Sequence, residues 1–534
     1  MPNPNDKRPA LLVLALTPLL AWCAFPAMHL PACAYVFAVP ALWWARRAPA
    51  WRLFGGTMWA AWTIAWFVLI FWLHHVTAVG MAALAAFLGA LTTLWFLAAR
   101  WALPRAAEAP AWGRIVVMTG LAGLWVVGEW LRSWLFTGFP WLPLAATQWR
   151  QPLVLALCPY TGAHGVSFLL ILMNLGVVAW CTRMATARHD EPRRWFVPEF
   201  SAALIALMAG TFGLSGDLLH QRREPWVSVG LVQPYIPQTL KWDPQAAAEN
   251  LRILERETAK LAEAKLDVVL WPESAVPYIL KVQPQLPAWL EANARGVGAP
   301  ILGGVVVMED ANLPTERWYN AAVAIDPTRG LQADYYAKRH RVPFGEYVPL
   351  RAVFGWLKKF VPIGDDFQAG ASARPIVLPS RSGPVAAGVL ICYEDVFSEL
   401  ARANAAAGAD VLVNLTNNAW YGEGAAAYQH AAHSALRAAE TRRPVVRCGN
   451  GGWSGWFDEY GGLRKELTDE RGTVYFRGGG VVQLTRDERW IGRQTPYTVH
   501  GDWFVAICAA LAALAWLRAA RERPEQSHGA VGPG

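Results

Sequence analysis

The sequence predicts a two-part fold: a multi-span α-helical membrane domain of about eight spans, joined to an extramembrane layered α/β domain. Three observations carry this. Only 16% of the 534 residues are charged, against about 25% in soluble proteins, while 54% are hydrophobic. Long apolar runs fill the first 219 residues and return once near 502–518. Between them, from about Val227, short β-rich runs alternate with helical, Ala- and charge-rich stretches. The expected boundaries are 1–219 for the N-terminal membrane domain, 220–498 for the extramembrane α/β domain, and 499–534 for a last span and tail.

Each span needs roughly 20 apolar residues. Runs meeting or approaching that length lie near 10–27, 31–45, 56–74, 77–99, 112–129, 163–182 and 199–217, with the eighth near 502–518; the second is short. The loops orient them. With the N-terminus inside, the inner segments hold Lys7 and Arg8; Arg46, Arg47 and Arg52; Arg100, Arg105 and Arg114; Arg183, Arg188, Arg193 and Arg194; and Arg518, Arg521 and Arg523. The outer turns hold almost none apart from Arg132 and Arg150, which is the positive-inside pattern. It places residues 218–501 outside and accounts for the net charge of +8 without nucleic acid. Trp43, Trp44, Trp51, Trp101 and Trp112 sit near span ends, where indole prefers the bilayer–water interface. The first run is read as a span rather than a cleaved signal peptide, because further hydrophobic runs follow at once.

In the polar domain, strands are expected at Val227–Gln233, Leu266–Trp271, Pro300–Met308, Ala321–Ile325, Val385–Ile391, Val411–Leu415 and Pro444–Arg447. Helices are expected at Gln245–Lys265 and Ala425–Thr441. Continuous apolar strands suit a sheet covered on both faces. No phosphate loop, HExxH or GxSxG motif is present, and the seven cysteines show no CxxC or Cys/His metal spacing. His430 and His433 share a helix face without an obvious third ligand, so no metal is expected.

Three polar side chains stand where a sheet delivers groups to a site. Glu273 ends a strand in Leu-Trp-Pro-Glu-Ser, Cys392 ends another in Leu-Ile-Cys-Tyr-Glu, and Lys338 lies shortly before Pro343-Phe344-Gly345-Glu346. A thiolate is a good nucleophile toward a carbonyl and a good leaving group from a thioester. A thiol is mostly protonated near neutrality, so it needs a base, and a partly buried carboxylate fits. The resulting oxyanion needs a cation or N–H donors, which a fixed lysine and the amide after the cysteine can supply. Taken singly, each has a plainer reading: a core thiol, a solvated lysine, a helix-start glutamate.

The set Trp271-Pro272-Glu273, Lys338 with Pro343-Phe344-Gly345-Glu346, and Cys392-Tyr393-Glu394 resembles the Glu–Lys–Cys triad of the nitrilase superfamily. Leu231–Gln238 with Lys241-Trp242-Asp243, Thr137-Gly138-Phe139-Pro140-Trp141, and Asn417-Asn418-Ala419-Trp420-Tyr421-Gly422 are similar to segments of the apolipoprotein N-acyltransferase family. The resemblance spans nearly the whole chain and implies an αββα sandwich on the outer face of a bacterial inner membrane. It implies that Cys392 takes an acyl chain from a phospholipid as a thioester. Glu273 would be the base for the thiol and then for the amine of a diacylglyceryl-cysteine at an apolipoprotein N-terminus. Lys338 and the Tyr393 amide would hold the oxyanion, with Glu346 and Glu394 as supporting carboxylates. No cofactor is implied, and partners beyond these substrates and membrane lipid are not expected; a monomer is expected.

Trp242, Trp420 and Asn418 belong to motifs beside the site and are expected to bind substrate. The loop 347–370, with Phe354, Trp356, Phe360 and possible hinges at Gly355 and Gly364, is expected to cover the lipid opening. Arg447–Ser454 departs from the family's usual turn, as does Trp456–Tyr460, which touches donor or acceptor preference. Cys448 is expected to be a plain core thiol. A membrane-tethered amidohydrolase is the alternative function, disfavoured by the aromatic loops and span count.

Overall fold

A computed structural model describes residues 6–26, 28–187, 195–349 and 366–522. In chain order its strands are β1 (Arg223–Gln233), β2 (Val268–Trp271), β3 (Ile279–Leu280), β4 (Ile301–Glu309), β5 (Arg317–Asp326), β6 (Gly330–Ala337), β7 (Ile376–Leu378), β8 (Val385–Ile391), β9 (Val411–Asn417), β10 (Val445–Asn450), β11 (Gly455–Phe457), β12 (Leu463–Glu466) and β13 (Gly478–Asp487). One sheet has the order β13-β1-β2-β4-β5-β6, with β3 on β4; the other has the order β12-β11-β10-β9-β8-β7. Each is built alike. Three parallel strands form the centre (β1, β2, β4; β8, β9, β10), and antiparallel strands flank them.

The parallel strands are apolar on both faces because both faces are covered. Val229, Leu231 and Leu270 meet Val389, Ile391, Val413 and Val446 between the sheets. On the outside of the first sheet, helices Ala247–Ala259 and Leu286–Val297 pack over Val269, Trp271, Val305 and Val323. Helices Ser398–Ala406 and Ala425–Thr441 cover the second sheet. The result is a four-layer αββα sandwich.

Every apolar run forms helical structure, but not every run forms a spanning helix. Ala78–Arg105, Ala111–Thr137, Ala163–Thr186 and Trp503–Arg521 are long and apolar enough to cross a membrane. Arg8–Ala24 and Pro198–Gly213 are shorter apolar helices. Trp51–Leu69 is 19 residues long, with Arg52, Gly55, Gly56 and Thr57 diluting its hydropathy. The 31–45 run departs from expectation. It is a 3-10 turn, Pro31–Tyr35, followed by a seven-residue helix, Val39–Ala45. Pro31 and Pro40 each sit at a helix start, where the missing N–H is tolerated, and so divide the run in two. At 1.5 Å per residue the seven-residue helix rises about 10 Å, too little to cross. Among the described residues, four helices thus have the length and hydropathy of a span. The C-terminal helix packs closely on Ala111–Trp134: a Cβ at Gly120 would stand 2.1 Å from the Ala515 Cβ, and one at Gly123 2.5 Å from the Cys508 carbonyl. Small residues at such crossings let helix backbones approach in lipid.

The two domains share one apolar interior. A contiguous cluster runs from Trp62, Trp72 and Trp141 of the membrane domain into Tyr393, Phe397 and Leu436 of the sandwich. At its centre the Gln429 side-chain oxygen accepts from the indole N–H of Trp72 and of Trp141, both at 2.9 Å, while its amide donates to Leu69 O at 2.8 Å. The aromatic and glycine positions of the expected lid, Phe354, Trp356, Phe360, Gly355 and Gly364, lie outside the described residues.

Candidate active site

Lys338 and Cys392 directly follow β6 and β8, and Glu273 follows β2 by one proline, so three strand ends bring them together. All are buried, at 7%, 1% and 4% exposure. β8 stops because Cys392 turns to φ +53°, a left-handed conformation that a non-glycine residue adopts only when its surroundings enforce it. The 3-10 turn Cys392–Val396 follows, and the chain thus makes an elbow with the cysteine at its tip. Glu394 holds the elbow to the end of β6. Its Oε2 accepts from the Ile391 amide (2.7 Å) and the Tyr336 hydroxyl (2.8 Å), and its Oε1 accepts from the Arg339 and His340 amides (2.6 and 3.0 Å).

Lys338 Nζ donates to Glu346 Oε1 at 2.9 Å and lies 3.5 Å from Glu273 Oε1. Asn320 Nδ2 bridges the same two carboxylates at 3.0 and 2.8 Å. Glu346 Oε2 accepts from the Val342 amide at 2.8 Å, fixing the 342–346 turn beneath the lysine. Glu273 Oε2 has no hydrogen-bond partner from nitrogen or oxygen, and the carboxyl faces the Cys392 thiol.

The electrostatics follow from burial and these neighbours. Burial pushes the Glu273 carboxyl up, but Lys338 and Lys241 outweigh it and hold the group below its ordinary range. Burial disfavours the Lys338 charge, yet Glu346 and Glu273 keep it firmly protonated. Burial and the nearby Glu273 push the Cys392 thiol up to about 12, against the pull of Lys338. At rest the site therefore holds a thiol, a carboxylate and an ammonium. A thiol of this kind becomes nucleophilic only as its proton moves to an adjacent base.

A second cluster grips the elbow from its carbonyl side. Asn414 Nδ2 and His430 Nε2 lie 3.0 and 3.1 Å from Cys392 O. His430 Nε2 is also 2.8 Å from Asp395 Oδ1, whose other oxygen accepts from Arg447 and Ser434, both at 2.7 Å. Trp141, from the Thr137–Trp141 segment, packs against His430 with centroids 5.3 Å apart and stacks over Tyr393 at 6.2 Å.

The other expected residues divide. Asn418 is fully buried, with Nδ2 unbonded. Trp420 and Trp242 flank the region as exposed aromatics, at 40% and 45%. The 447–454 segment packs closely against the 417–419 turn. A Cβ at Gly452 would stand 2.7 Å from that of Asn418, and Gly451, at φ +68°, lies against Ala419. Asn450 sews the segment to the domain's first loop through Ile236 N and O at 2.9 Å each. Cys448 is fully buried, its thiol donating to Val232 O and Leu270 O at 3.3 Å. Among the described residues, no group of three or more His, Cys, Asp or Glu side chains is placed to hold a metal.

Sequence reasoning assigned no role to Lys241, Asn320, Asn414, Asp395 or Arg447, and weighed His430 only as a metal ligand. A signal existed for two: Asn320 and Asn414 stand next to apolar runs of their strands, where an uncompensated amide is costly.

The comparisons agree with this architecture. Residues 228–481 match the carbon-nitrogen hydrolase family, and residues 18–176 match the apolipoprotein N-acyltransferase N-terminal domain. The Methylococcus capsulatus apolipoprotein N-acyltransferase is 34% identical over 428 residues, covering 78% of this chain and 77% of that one. The Geobacter metallireducens protein of the same name is 33% identical over 395 residues, covering 73% and 72%. With both domains matched in order and a third of the aligned residues shared over most of each protein, this membrane protein belongs to the apolipoprotein N-acyltransferase family.

Proposed function

We propose that Cys392 carries an acyl chain from a phospholipid to the N-terminal amine of a diacylglyceryl-cysteine on an apolipoprotein. The observation that supports this reading is the buried Cys392 thiol facing a Glu273 carboxylate whose Oε2 is unbonded, with Lys338 beside it. Glu273 takes the thiol proton as sulfur attacks the ester carbonyl. Lys338 and the Tyr393 amide meet the oxyanion; the ammonium has three N–H donors, of which Glu346 and Glu273 engage two. Collapse expels the lysophospholipid alkoxide, which recovers the proton from Glu273, and leaves the thioester. The lipoprotein amine then attacks, gives its proton to Glu273, and the departing sulfur takes that proton back.

Glu346 and Glu394 position the lysine and the elbow, respectively. Trp242 and Trp420 line the acyl path, and Asn418 offers its free amide to substrate. Burial of the triad keeps water from the thioester, so that an amine and not water receives the acyl group. The enzyme works as a monomer in a bacterial inner membrane with the sandwich in the periplasm, as the Lys/Arg asymmetry of the loops supports.

The deciding experiment is intact-mass spectrometry of purified enzyme incubated with phospholipid and no acceptor. A gain of one acyl chain, removed by hydroxylamine and absent in Cys392→Ala, is expected. Fatty acid release without an adduct would favour a hydrolase. Topology is tested separately: reporters fused after residues 220 and 522 should lie on opposite sides of the membrane, and a shared side would overturn the periplasmic assignment.

A further inference from the structure

We propose that an arginine-lined cleft between the membrane domain and the sandwich, apart from the reaction centre, binds the headgroup phosphate of an anionic phospholipid and so ties the sandwich to the bilayer. The inference is independent of the reaction assigned to Cys392.

Three arginines from separate parts of the chain converge there. Arg150 precedes the short helix Pro152–Leu155, Arg223 opens β1, and Arg464 lies in β12. With Pro152, Leu218 and Asp458 they line a cleft of about 240 Å³, far more than the roughly 30 Å³ of one water. These residues are distinct from those that hold Cys392. Asp458 is fully buried and gathers two guanidiniums on one oxygen: its Oδ2 accepts from Arg223 Nη2 at 2.6 Å and from Arg464 Nε. Its Oδ1 accepts from the Tyr460 and Gly462 amides at 2.9 Å each. Arg150 Nη2 reaches Glu466 Oε2 at 3.3 Å.

This sharing leaves positive charge and donors over. Three cations meet two carboxylates, Asp458 and Glu466, while Asp217, beside Leu218, is matched by Arg489 at 3.2 Å. A guanidinium has five N–H donors, and each of these three gives one to a carboxylate. The Nε of Arg223 is buried without a partner, which is costly unless an acceptor arrives. Planar guanidinium forks suit phosphate oxygens two at a time. The apolar surroundings say that the phosphate carries acyl chains. Ile205, Met208 and Phe212 stand exposed along the helical run Pro198–Gly213, at spacings of three and four that put them on one face. Pro152–Leu155, which lends Pro152 to the cleft, packs on the 209–213 turn at the end of that run. Leu153 and Leu219, next to the lining residues Pro152 and Leu218, are exposed as well. Cations capping an apolar face at the membrane surface match the head and tails of an anionic lipid. A free phosphate ion would use the arginines and leave the apolar face without a role.

The test is photolabelling of the full-length enzyme in detergent with a diether phosphatidylglycerol that carries a diazirine in one chain. Its ether links prevent its use as an acyl donor, and labelled peptides are located by mass spectrometry. Labelling within residues 205–219 is expected, at several times the yield given by a phosphatidylcholine probe with the same chains. Arg150→Gln combined with Arg464→Gln should lower that yield roughly five- to thirtyfold, because each arginine at a membrane surface contributes about 1 kcal/mol. Asp458 keeps its bond from Arg223 in this variant. Equal labelling by the two lipids, or an unchanged yield in the double variant, means contact with bulk lipid only and overturns the proposal. Loss of the label to an equimolar amount of inorganic phosphate would make the cleft a site for the free ion and overturn the lipid assignment. If the double variant cannot be purified, the preference between the two lipids in the wild type decides.

Discussion

Cys392 is held between two buried charge clusters of similar composition that do different work. On its thiol side stand Glu273, Glu346, Lys338 and Asn320; on its carbonyl side stand Asp395, His430, Arg447 and Ser434. Both pair carboxylates with cations in the dry interior. They differ in what is left over. Asp395 spends both oxygens, one on His430 and one on Arg447 and Ser434. Glu273 keeps Oε2 free beside the thiol. A carboxylate with both oxygens engaged holds a shape, whereas one with an oxygen to spare can receive a proton. The thiol-side cluster is suited to chemistry and the carbonyl-side cluster to holding the elbow at its positive φ.

The largest expected effect breaks the thiol side. Glu273→Gln keeps the bond from Asn320 but cannot take the proton, so thioester formation should fall by roughly a hundred- to ten-thousandfold. A variant that acylates at the wild-type rate would remove Glu273 as the base. A smaller chemical effect with a larger structural one is expected from Asp395→Asn. It strands the Arg447 guanidinium, which is fully buried with Nε and Nη2 already unpartnered. Breaking a buried pair in this way costs about 3–5 kcal/mol of stability, read as a lower thermal midpoint in detergent. The pH dependence has a defined sign. Burial pushes the Asp395 carboxyl up, but His430 and Arg447 overcome it and hold it well below the usual carboxylate range. Its contribution is thus complete above the usual carboxylate range and lost as pH falls from that range to the group's own lowered value, so Asp395→Asn should flatten the acid side of the stability profile. If Asp395→Asn impaired acylation more than Glu273→Gln, the division of labour would be reversed.

The difference between the sides also explains what could be read from the sequence. β8 and helix Ala425–Thr441 occupy the ranges their residues predict, because an apolar run ending at Cys392 and an Ala-rich periodic stretch are local signals. Glu273, Lys338 and Cys392 were visible for a related reason: each closes or follows a strand in a short motif. Lys338 was placed without its strand, since β6, Gly-Leu-Gln-Ala-Asp-Tyr-Tyr-Ala, is half-exposed and polar along much of its length. Glu394 was expected to support Lys338 and its loop. Its Oε1 accepts from the Arg339 and His340 amides, contacts across 55 and 54 residues that no local pattern encodes. The carbonyl-side cluster joins residues 35 to 52 positions apart, so Asp395 and Arg447 carried no sign of one another. The break in the 31–45 run was not legible as a break, because hydropathy records where lipid or core is preferred, but the prolines decide whether one helix can form.

The bond between Gln429 and the two indoles has a consequence for how the enzyme comes into being. Trp141 hydrogen-bonds Gln429 and packs on both His430, which touches the Cys392 carbonyl, and Tyr393, the residue after the cysteine. The wall behind the nucleophile is therefore supplied by a loop between two membrane-domain helices, encoded some 250 residues earlier and already made when the sandwich emerges. A chain whose membrane helices have not assembled lacks that wall. On the function proposed above, Cys392 acquires its complete setting only beside the bilayer that would supply its lipid, so that maturation of the site and arrival at its substrate would be one event.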